Sequence, residues 1–278
     1  MIVDVHAHLM DHRDVDEGFL EASGGAKSGG VDLFSRWEAY QEGAPDDTVA
    51  IVFGGKAHLS GMWVDDAKIA ELARANPDTV VGFLSVDPTQ PGWEEQLRFS
   101  HQELGLRGIK VMPMYAGFDP SDPAYDGLWA YAQENRLPIV AHTGTTFIPK
   151  ADLRWARPGL FDVVARRFPE LRIVLAHLGH PYEGECLATI RKNPHVYADI
   201  SALYYRPFQF WHALMLAQDY GVGHKILFGS DFPFTTVNGT VEGLRSLEQV
   251  QISGLPGLQP ELIEGIIARD SLELLGLR

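Results

Sequence analysis

The sequence predicts a protein of the α/β class, a distorted (β/α)8 or TIM barrel. Short apolar runs alternate with segments of helical periodicity, there are eight such runs, and 278 residues are enough for eight β/α units. Continuous apolar runs separated by helices are typical of parallel strands buried on both faces. An open doubly wound sheet is the alternative. It would normally show a glycine-rich phosphate-binding fingerprint after its first strand, and two histidines stand there instead.

The first predicted strand runs from Met1 to Leu9 and ends in two histidines, His6 and His8. Side chains at i and i+2 of a strand point to the same face, so the two imidazoles should project side by side. Two parallel imidazoles suit one divalent cation. Such a pair also occurs as two surface histidines, so the motif gains weight only from the rest of the chain.

A glycine-rich segment from Met10 to Ala44 follows the first strand. It is predicted to be a long, flap-like loop with at most one short helix near residues 34–41. Long connections within compact domains are usually functional or mobile, so this segment is predicted to be a lid inserted over the site. No repeat, linker or change of composition divides the chain, and residues 1–278 are therefore predicted to form a single domain.

The remaining strands and helices alternate along the rest of the chain. Apolar runs predict strands at 49–53, 80–84, 106–112, 138–142, 171–177, 196–201 and 225–231. Helical spacing predicts helices at 63–76, 93–104, 125–135, 160–168, 184–192, 210–220, 241–250 and 260–275.

Polar residues interrupt these apolar runs at their ends. They are Lys110 on strand four, His142 on strand five, His177 on strand six, Asp199 on strand seven and Asp231 on strand eight. Taken alone, such a residue can be a hydrogen-bonded core residue or a turn cap. In a barrel of this kind, however, the chemistry lies at the C-terminal ends of the strands. The side chains should converge with the first-strand histidines on one rim, which indicates a metal site.

Composition excludes several classes of function. Lys plus Arg is 23 and Asp plus Glu is 37, so the formal charge is −14, which argues against nucleic-acid and anionic-membrane partners. Cys186 is the only cysteine, so neither an intrachain disulfide nor a cysteine-based zinc site can form. No signal peptide and no apolar run of about 18 residues is visible. We expect a cytoplasmic protein with a small-molecule substrate.

Four motifs give the sequence a resemblance to the amidohydrolase superfamily. They are His6-Ala-His8, His142-Thr-Gly144, His177-Leu-Gly-His180 and Gly229-Ser-Asp231-Phe-Pro233. More narrowly, they resemble the amidohydrolase-related branch that includes aminocarboxymuconate-semialdehyde decarboxylase, resorcylate decarboxylases and lactonases. The resemblance spans Val3 to about Leu275. It is specific for fold and metal, and not for reaction or substrate.

The resemblance implies a role for each matching residue. His6, His8 and His142 are implied as metal ligands through nitrogen, and Asp231 as the carboxylate ligand that also contacts the catalytic water. His177 is implied to stand beside the metal as acid/base or electrophile. Three imidazoles and one carboxylate suit one Zn2+ ion, with Mn2+ as the alternative. Relatives of this kind are often homodimers, which makes a homodimer a further implication.

Lys110 leaves open whether one or two metal ions bind. In binuclear members of the wider superfamily, a carboxylated lysine on the fourth strand bridges two metals, and His177 would then join the second. The alternatives for Lys110 are an ion pair inside the barrel mouth, since a buried lysine must be paired, or a side chain that points away from the metal. We expect one ion and no carboxylation.

Two reactions remain open, because the same ligands serve both. The first is hydrolysis of a C–N, ester or lactone bond through a metal-activated water, with Asp231 as proton acceptor. The second is non-oxidative decarboxylation of a small aromatic or unsaturated acid, with Asp231 or His177 as proton donor. Hydrolysis is preferred. A TatD-type nuclease is a distant third, because that family has a glutamate where Lys110 stands and DNA binding favours the opposite net charge.

The candidate substrate contacts are Lys110, near the end of strand four, and three residues in the loops after the strands. These three are Tyr115, Arg157 and Arg206. Aromatic residues with one or two cations suit a small cyclic or aromatic carboxylate, although surface arginines are usually solvated. No motif for another cofactor is present.

Overall fold

The structure is a computed structural model that describes residues 1–24, 26 and 30–278. Its strands are β1 (Ile2–His8), β2 (Thr48–Phe53), β3 (Lys56–Ala57), β4 (Met62–Trp63), β5 (Val80–Gly82), β6 (Leu84–Val86), β7 (Ile109–Val111), β8 (Ile139–Ala141), β9 (Ile173–Leu175), β10 (Val196–Asp199) and β11 (Ile226–Leu227). β3 and β4 pair with each other as a small antiparallel hairpin. All other strand pairs are parallel.

The parallel strands form a closed ring. β5 and β6 are the two halves of one barrel strand, since β5 pairs with β2 and β6 pairs with β7. The order then continues through β8, β9 and β10 to β11. β11 and the loop after it meet β1 through hydrogen bonds from Val5 N to Phe228 O at 3.0 Å and from Asp231 N to His6 O at 2.8 Å. The predicted TIM barrel is therefore confirmed.

β1 has one more residue than β2 over the segment that bears the histidines. The pairing of β1 with β2 shifts register between Asp4 and Ala7. Such a bulge changes which residues face which side. Val5 packs in the inner cluster of the barrel, whereas Ala7 packs in the outer layer against the helices. The bulge therefore lets His6 and His8 face the interior on the same side as the valine before them.

An apolar layer fills the barrel beneath the histidines. It contains Val3, Val5, Ile51, Phe53, Val81, Phe83, Val140, Val174, Tyr197 and Leu227, packed on Leu272, Leu275 and Leu277 near the C-terminus. Lys110 pairs in register with Val140, so the backbone of Lys110 lies at the level of this apolar layer. Because apolar side chains fill this end, polar groups gather at the other end, where the strands finish.

The helices surround the ring. They are α1 (Glu17–Ser23), α2 (Trp37–Glu42), α3 (Asp66–Ala75), α4 (Trp93–Gln102), α5 (Pro113–Ala116), α6 (Asp126–Glu134), α7 (Leu160–Arg167), α8 (Glu183–Lys192), α9 (Pro207–Asp219), α10 (Val237–Ser246), α11 (Pro260–Ile267) and α12 (Ser271–Leu274). The helix predicted over 260–275 is two helices, because Asp270 caps a new one by accepting a hydrogen bond from Glu273 N at 3.2 Å. None of the described helices is long and apolar enough to cross a membrane.

The segment after β1 contains two helices, α1 and α2, where the sequence predicts at most one. Asp16 initiates α1 by accepting a hydrogen bond from Phe19 N at 2.7 Å, and the Phe19 side chain is buried. Within the glycine-rich part of this prediction, Gly25, Lys27, Ser28 and Gly29 lie outside the described residues. The lid role of residues 10–44 stays a prediction.

Candidate metal centre

Three predicted ligands meet at the C-terminal rim of β1 and the loop after β11. Oδ1 of Asp231 lies 3.2 Å from Nε2 of His6 and 3.5 Å from Nε2 of His8. One ligand atom from each residue lies within 4.8 Å of the other two, and all three residues are buried. Two imidazole nitrogens and a carboxylate oxygen at this spacing can hold a divalent cation.

The protein fixes the tautomers of both histidines. Nδ1 of His6 donates to Oδ2 of Asp199 at 2.9 Å, and Nδ1 of His8 donates to the carbonyl of Gly54 at 3.2 Å. With the proton on Nδ1, the lone pair of each ring lies on Nε2, which faces Asp231. Metal-binding histidines use their second nitrogen in this way, so the donor set fits a metal ion.

Lys110 points into the site. Its side chain is fully buried, and its Nζ lies 3.1 Å from Nε2 of His6 and 4.4 Å from the ring centre of Phe53. Burial lowers the pKa of Lys110 to about 8, against the raising effect of Asp231 and Asp199. Lys110 therefore points toward the group formed by His6, His8 and Asp231. The orientation in which its side chain points away from the predicted metal site does not occur.

His142 and His177 stand next to the cluster. Nε2 of His142 donates to Thr145 O at 3.2 Å, which leaves the lone pair of Nδ1 toward Nε2 of His177, 3.4 Å away. His142 is not among the described residues whose ligand atoms group with His6, His8 and Asp231. Its role as the third histidine ligand, beside His6, His8 and the carboxylate of Asp231, stays a prediction.

Electrostatics keep the imidazoles neutral and the carboxylate ionised. Burial lowers the pKa values of His6, His8 and His142, and it lowers the pKa of His177 to about 4. Burial raises the pKa of Asp231, but the hydrogen bond with His8 and the nearby imidazoles outweigh it, and the net pKa is well below the usual range. Neutral imidazoles and an ionised carboxylate are the forms that bind metals.

The backbone is strained at this rim. His177 has φ of 60°, Asp231 has φ of 64°, and Ala202, beside the same cavity, has φ of 58°. Residues other than glycine rarely adopt these angles, and they cluster at functional sites. The strain turns the chain immediately after β9 and after β11, where it directs the two side chains to the cavity.

Two residues of the predicted metal site, His8 and Asp231, form part of the wall of a cavity of about 350 Å3. His8, His142, His177 and Asp231 contribute polar groups to it. Its other lining residues are mostly apolar or aromatic, namely Met10, Phe19, Ala26, Met62, Met112, Tyr115, Phe147, Ala202, Tyr205 and Phe234, together with Thr145, Thr146, His180 and Arg206. This volume suits a small-molecule ligand.

The family model for amidohydrolases matches residues 3–277 of this chain. The chain belongs to the amidohydrolase family. The resemblance seen in the sequence is thereby confirmed, and the members of this family are enzymes. A comparison with curated proteins finds no match.

Solved structures show the same fold at low sequence identity. An uncharacterised TIM-barrel protein from Bordetella bronchiseptica is 18% identical with a TM-score of 0.76, over 99% of this chain and 98% of that one. A probable 2-pyrone-4,6-dicarboxylic acid hydrolase from Acinetobacter baumannii is 14% identical, with a TM-score of 0.69 and 99% of both chains covered. A manganese-bound 5-carboxyvanillate decarboxylase from Novosphingobium aromaticivorans is 14% identical, with a TM-score of 0.67, over 99% and 97%.

The four predicted substrate residues of this amidohydrolase occupy different places. Tyr115 and Arg206 line the cavity, and the Tyr115 ring packs edge-on against His142 at 4.8 Å. Lys110 is outside the cavity lining, and its Nζ contacts Nε2 of His6. Arg157 is outside the cavity lining, where its Nε donates to Glu185 Oε2 at 2.8 Å. Its exposed position on the loop before α7 explains why a charge pattern alone could not place it.

Asp199 and Ser201 both contact His177 in this amidohydrolase, although Asp199 was predicted only to lie at the rim and no role was predicted for Ser201. Oδ1 of Asp199 accepts from His177 N at 2.9 Å, and Ser201 Oγ lies 2.7 Å from Nδ1 of His177. Ser201 also donates its hydroxyl proton to Asp199. Polar residues inside the apolar run of strand seven were the available signal.

Asp4 joins the first and last barrel strands of the amidohydrolase. Its carboxylate accepts hydrogen bonds from Ser230 N at 2.9 Å, Ser230 Oγ at 2.6 Å, His6 N at 3.1 Å and Tyr40 Oη at 3.0 Å. Burial raises the pKa of Asp4 to about 6, although these hydrogen bonds act to lower it. Asp4 thus fixes the backbone at His6 and at Ser230, next to the predicted ligands His6 and Asp231.

Proposed function

We propose that this amidohydrolase is a metal-dependent hydrolase of a small cyclic or aromatic carboxylate. The observation that carries the proposal is the group of His6, His8 and Asp231, with its tautomers fixed, at the wall of a cavity of about 350 Å3. Aromatic side chains suit the faces of a ring, and Arg206 supplies a cation for an acid group.

The residues of the chain have separate roles in hydrolysis. When bound, a divalent cation lowers the pKa of water and polarises substrate oxygens. Asp231, ionised at neutral pH, accepts the proton of the attacking water and delivers it to the leaving group. His177 is neutral, its Nδ1 is held by Ser201, and it lines the cavity, so its Nε2 is available to accept a proton during the reaction.

Occupancy by one Zn2+ ion, with Mn2+ as the alternative, belongs to the same proposal. His6, His8 and Asp231 would hold it, with His142 as the fourth ligand. A second ion bridged by carboxylated Lys110 is not part of the proposal, because the buried Nζ of Lys110 already bonds to His6 Nε2.

Decarboxylation is the second candidate. It is supported by the fold shared with a manganese-bound 5-carboxyvanillate decarboxylase and by the same donor set. A ring hydroxyl of the substrate would first give its proton to the ionised Asp231 or to Nε2 of the neutral His177, and that group would then protonate the ring carbon as carbon dioxide leaves. Arg206 would hold a second acidic group of the substrate.

An activity screen separates the two candidates. Metal-loaded protein would be assayed on lactones, ring amides and hydroxylated ring acids, with proton release and carbon dioxide release recorded in parallel. We expect either proton release from a lactone or ring opening of an amide, the latter followed by chromatography because its carboxylate and ammonium products release no net proton. Chelation and Asp231→Asn should abolish this turnover, and the exposed control Asp46→Asn should not. Carbon dioxide release from a ring acid would establish the second candidate instead. Turnover that survives both chelation and Asp231→Asn would contradict both.

A further inference from the structure

His180 lies in the wall of the same cavity, outside the metal cluster. Its side chain is buried, and it lines the cavity together with His142, His177 and Asp231. His180 is the last residue of the motif His177-Leu-Gly-His180. The proposed mechanism assigns no role to it.

The backbone holds His180 firmly. Its N–H donates to His177 O at 3.0 Å, and Tyr182 N donates to Gly179 O at 2.7 Å. Gly179 has φ of 65°, and a Cβ there would lie 2.5 Å from Cγ of Pro158. Only glycine suits that position, so the turn that presents His180 to the cavity is built into the sequence.

Glu183 sets the tautomer of His180. Its Oε1 lies 3.4 Å from Nδ1 of His180. Burial raises the pKa of Glu183, but the hydrogen bond with His180 and the nearby backbone outweigh it, so the net pKa is below its ordinary value. Glu183 is also the first residue of α8, where the helix dipole favours a negative charge. An ionised carboxylate only accepts hydrogen bonds, and Nδ1 of His180 therefore carries the proton.

The other nitrogen of His180 is open to the cavity. In an imidazole whose single proton lies on Nδ1, the lone pair lies on Nε2. Within residues 1–24, 26 and 30–278, the side-chain hydrogen bond of His180 is the one between Nδ1 and Glu183, and His180 lines the cavity wall. Nε2 of His180 is therefore a fixed hydrogen-bond acceptor in the cavity, separate from the predicted metal ligands His6, His8 and Asp231.

We propose that His180, oriented by Glu183, determines specificity by accepting a hydrogen bond from a hydroxyl or amino group on the substrate ring. The inference rests on the proposed function, which places an acid group of the substrate elsewhere in the cavity, at the cluster or at Arg206. The substrate class is thereby narrowed to ring carboxylates that bear a hydrogen-bond donor. A buried acceptor left without its donor is costly, which gives such sites their discrimination.

The test compares benzoate with its three monohydroxy isomers by calorimetric titration of metal-loaded protein. We expect at least one isomer to bind the wild type about tenfold more tightly than benzoate, which corresponds to about 1.4 kcal/mol and lies within the usual range for one buried hydrogen bond. His180→Ala should abolish this preference and leave the affinity for benzoate unchanged. His180→Gln, whose side-chain carbonyl can accept, should restore part of it.

Two further variants separate tautomer control from general structure. Glu183→Gln should weaken the preference, because an amide no longer forces the proton onto Nδ1 of His180. His224→Ala, at an exposed position outside the cavity, should change nothing.

The inference is overturned if the wild type prefers none of the three isomers, or if the preference survives His180→Ala. The metal content of the same preparations tests the proposed function separately. Wild-type protein that holds no metal would overturn the proposed function, while the ratio of the two affinities would still report on His180.

Discussion

Nδ1 of His6 lies 2.9 Å from Oδ2 of Asp199, and both side chains are fully buried. The carboxylate of Asp199 also accepts from the backbone N–H groups of His177 and Ser201, at 2.9 Å and 3.0 Å. One buried carboxylate thus sets the ring of a predicted metal ligand and the backbone of the predicted acid/base residue. Burial raises the pKa of Asp199, but His6 outweighs it and keeps the net pKa well below the usual range.

Asp199→Asn should therefore weaken metal binding without removing a ligand. An amide can donate as well as accept, so the proton on Nδ1 of His6 is no longer enforced. Loss of such a partner typically costs about 10–100-fold in metal affinity. Competition with a chromogenic chelator measures this, and Asp162→Asn on α7 is the control. An unchanged affinity would show that Asp199 only supports packing.

Lys110→Met should bind the metal more tightly than the wild type, by about tenfold or more. The Lys110 ammonium lies 3.1 Å from the His6 nitrogen that would bind the metal, and two cations near one atom repel each other. The same chelator competition measures the change, with Lys68→Met as the partly exposed control. Loss of metal from Lys110→Met, with a labile carboxylate mass on wild-type Lys110, would instead indicate a bridged pair of ions.

Arg206→Met should weaken the binding of ring carboxylates. Arg206 lines the cavity, and a hydrogen bond to a charged group contributes about 1.5–3 kcal/mol, so we expect an increase of about tenfold or more in Kd for benzoate. Arg157→Met is the matched control, because Arg157 is outside the cavity and pairs with Glu185. Equal effects of the two variants would argue against a role for Arg206 in the cavity.

Asp4 should give the stability of the metal-free protein a pH dependence. Burial raises its pKa from 3.8 to about 6. Because the folded value is the higher one, the contribution of Asp4 to stability is greatest below pH 3.8 and is lost as the pH rises through about 6. The difference, 6 − 3.8, corresponds to about 3 kcal/mol.

Asp4→Asn does not titrate, so its free energy of unfolding relative to wild type should rise by up to about 3 kcal/mol between about pH 4 and pH 7. Urea unfolding of chelator-treated protein measures it, and Asp46→Asn is the exposed control. A difference between wild type and Asp4→Asn that does not vary with pH would contradict a raised pKa for Asp4.

The sequence predicted the barrel because buried parallel strands leave a strong local signal. The positions of His6, His8, His177 and Asp231 followed from the strand ends. The bulge in β1 has no such signal, since strict alternation would place Val5 and His6 on opposite faces. The roles of Asp199 and Asp4 depend on contacts between residues far apart in the chain. Arg157 and Arg206 are alike in the sequence, since both follow a predicted strand. The paths of their loops in the folded chain place Arg206 at the cavity and Arg157 outside it.

Metal content per chain is the most direct test of the account. Protein purified without chelators would be analysed for its elements and its intact mass, beside the double variant His6→Ala with His8→Ala. We predict one equivalent of zinc or manganese in the wild type, an unmodified mass, and no retained metal in the double variant. Wild-type protein that takes up no metal even when it is added back, or a double variant with full metal content, would contradict a metal site built on His6 and His8.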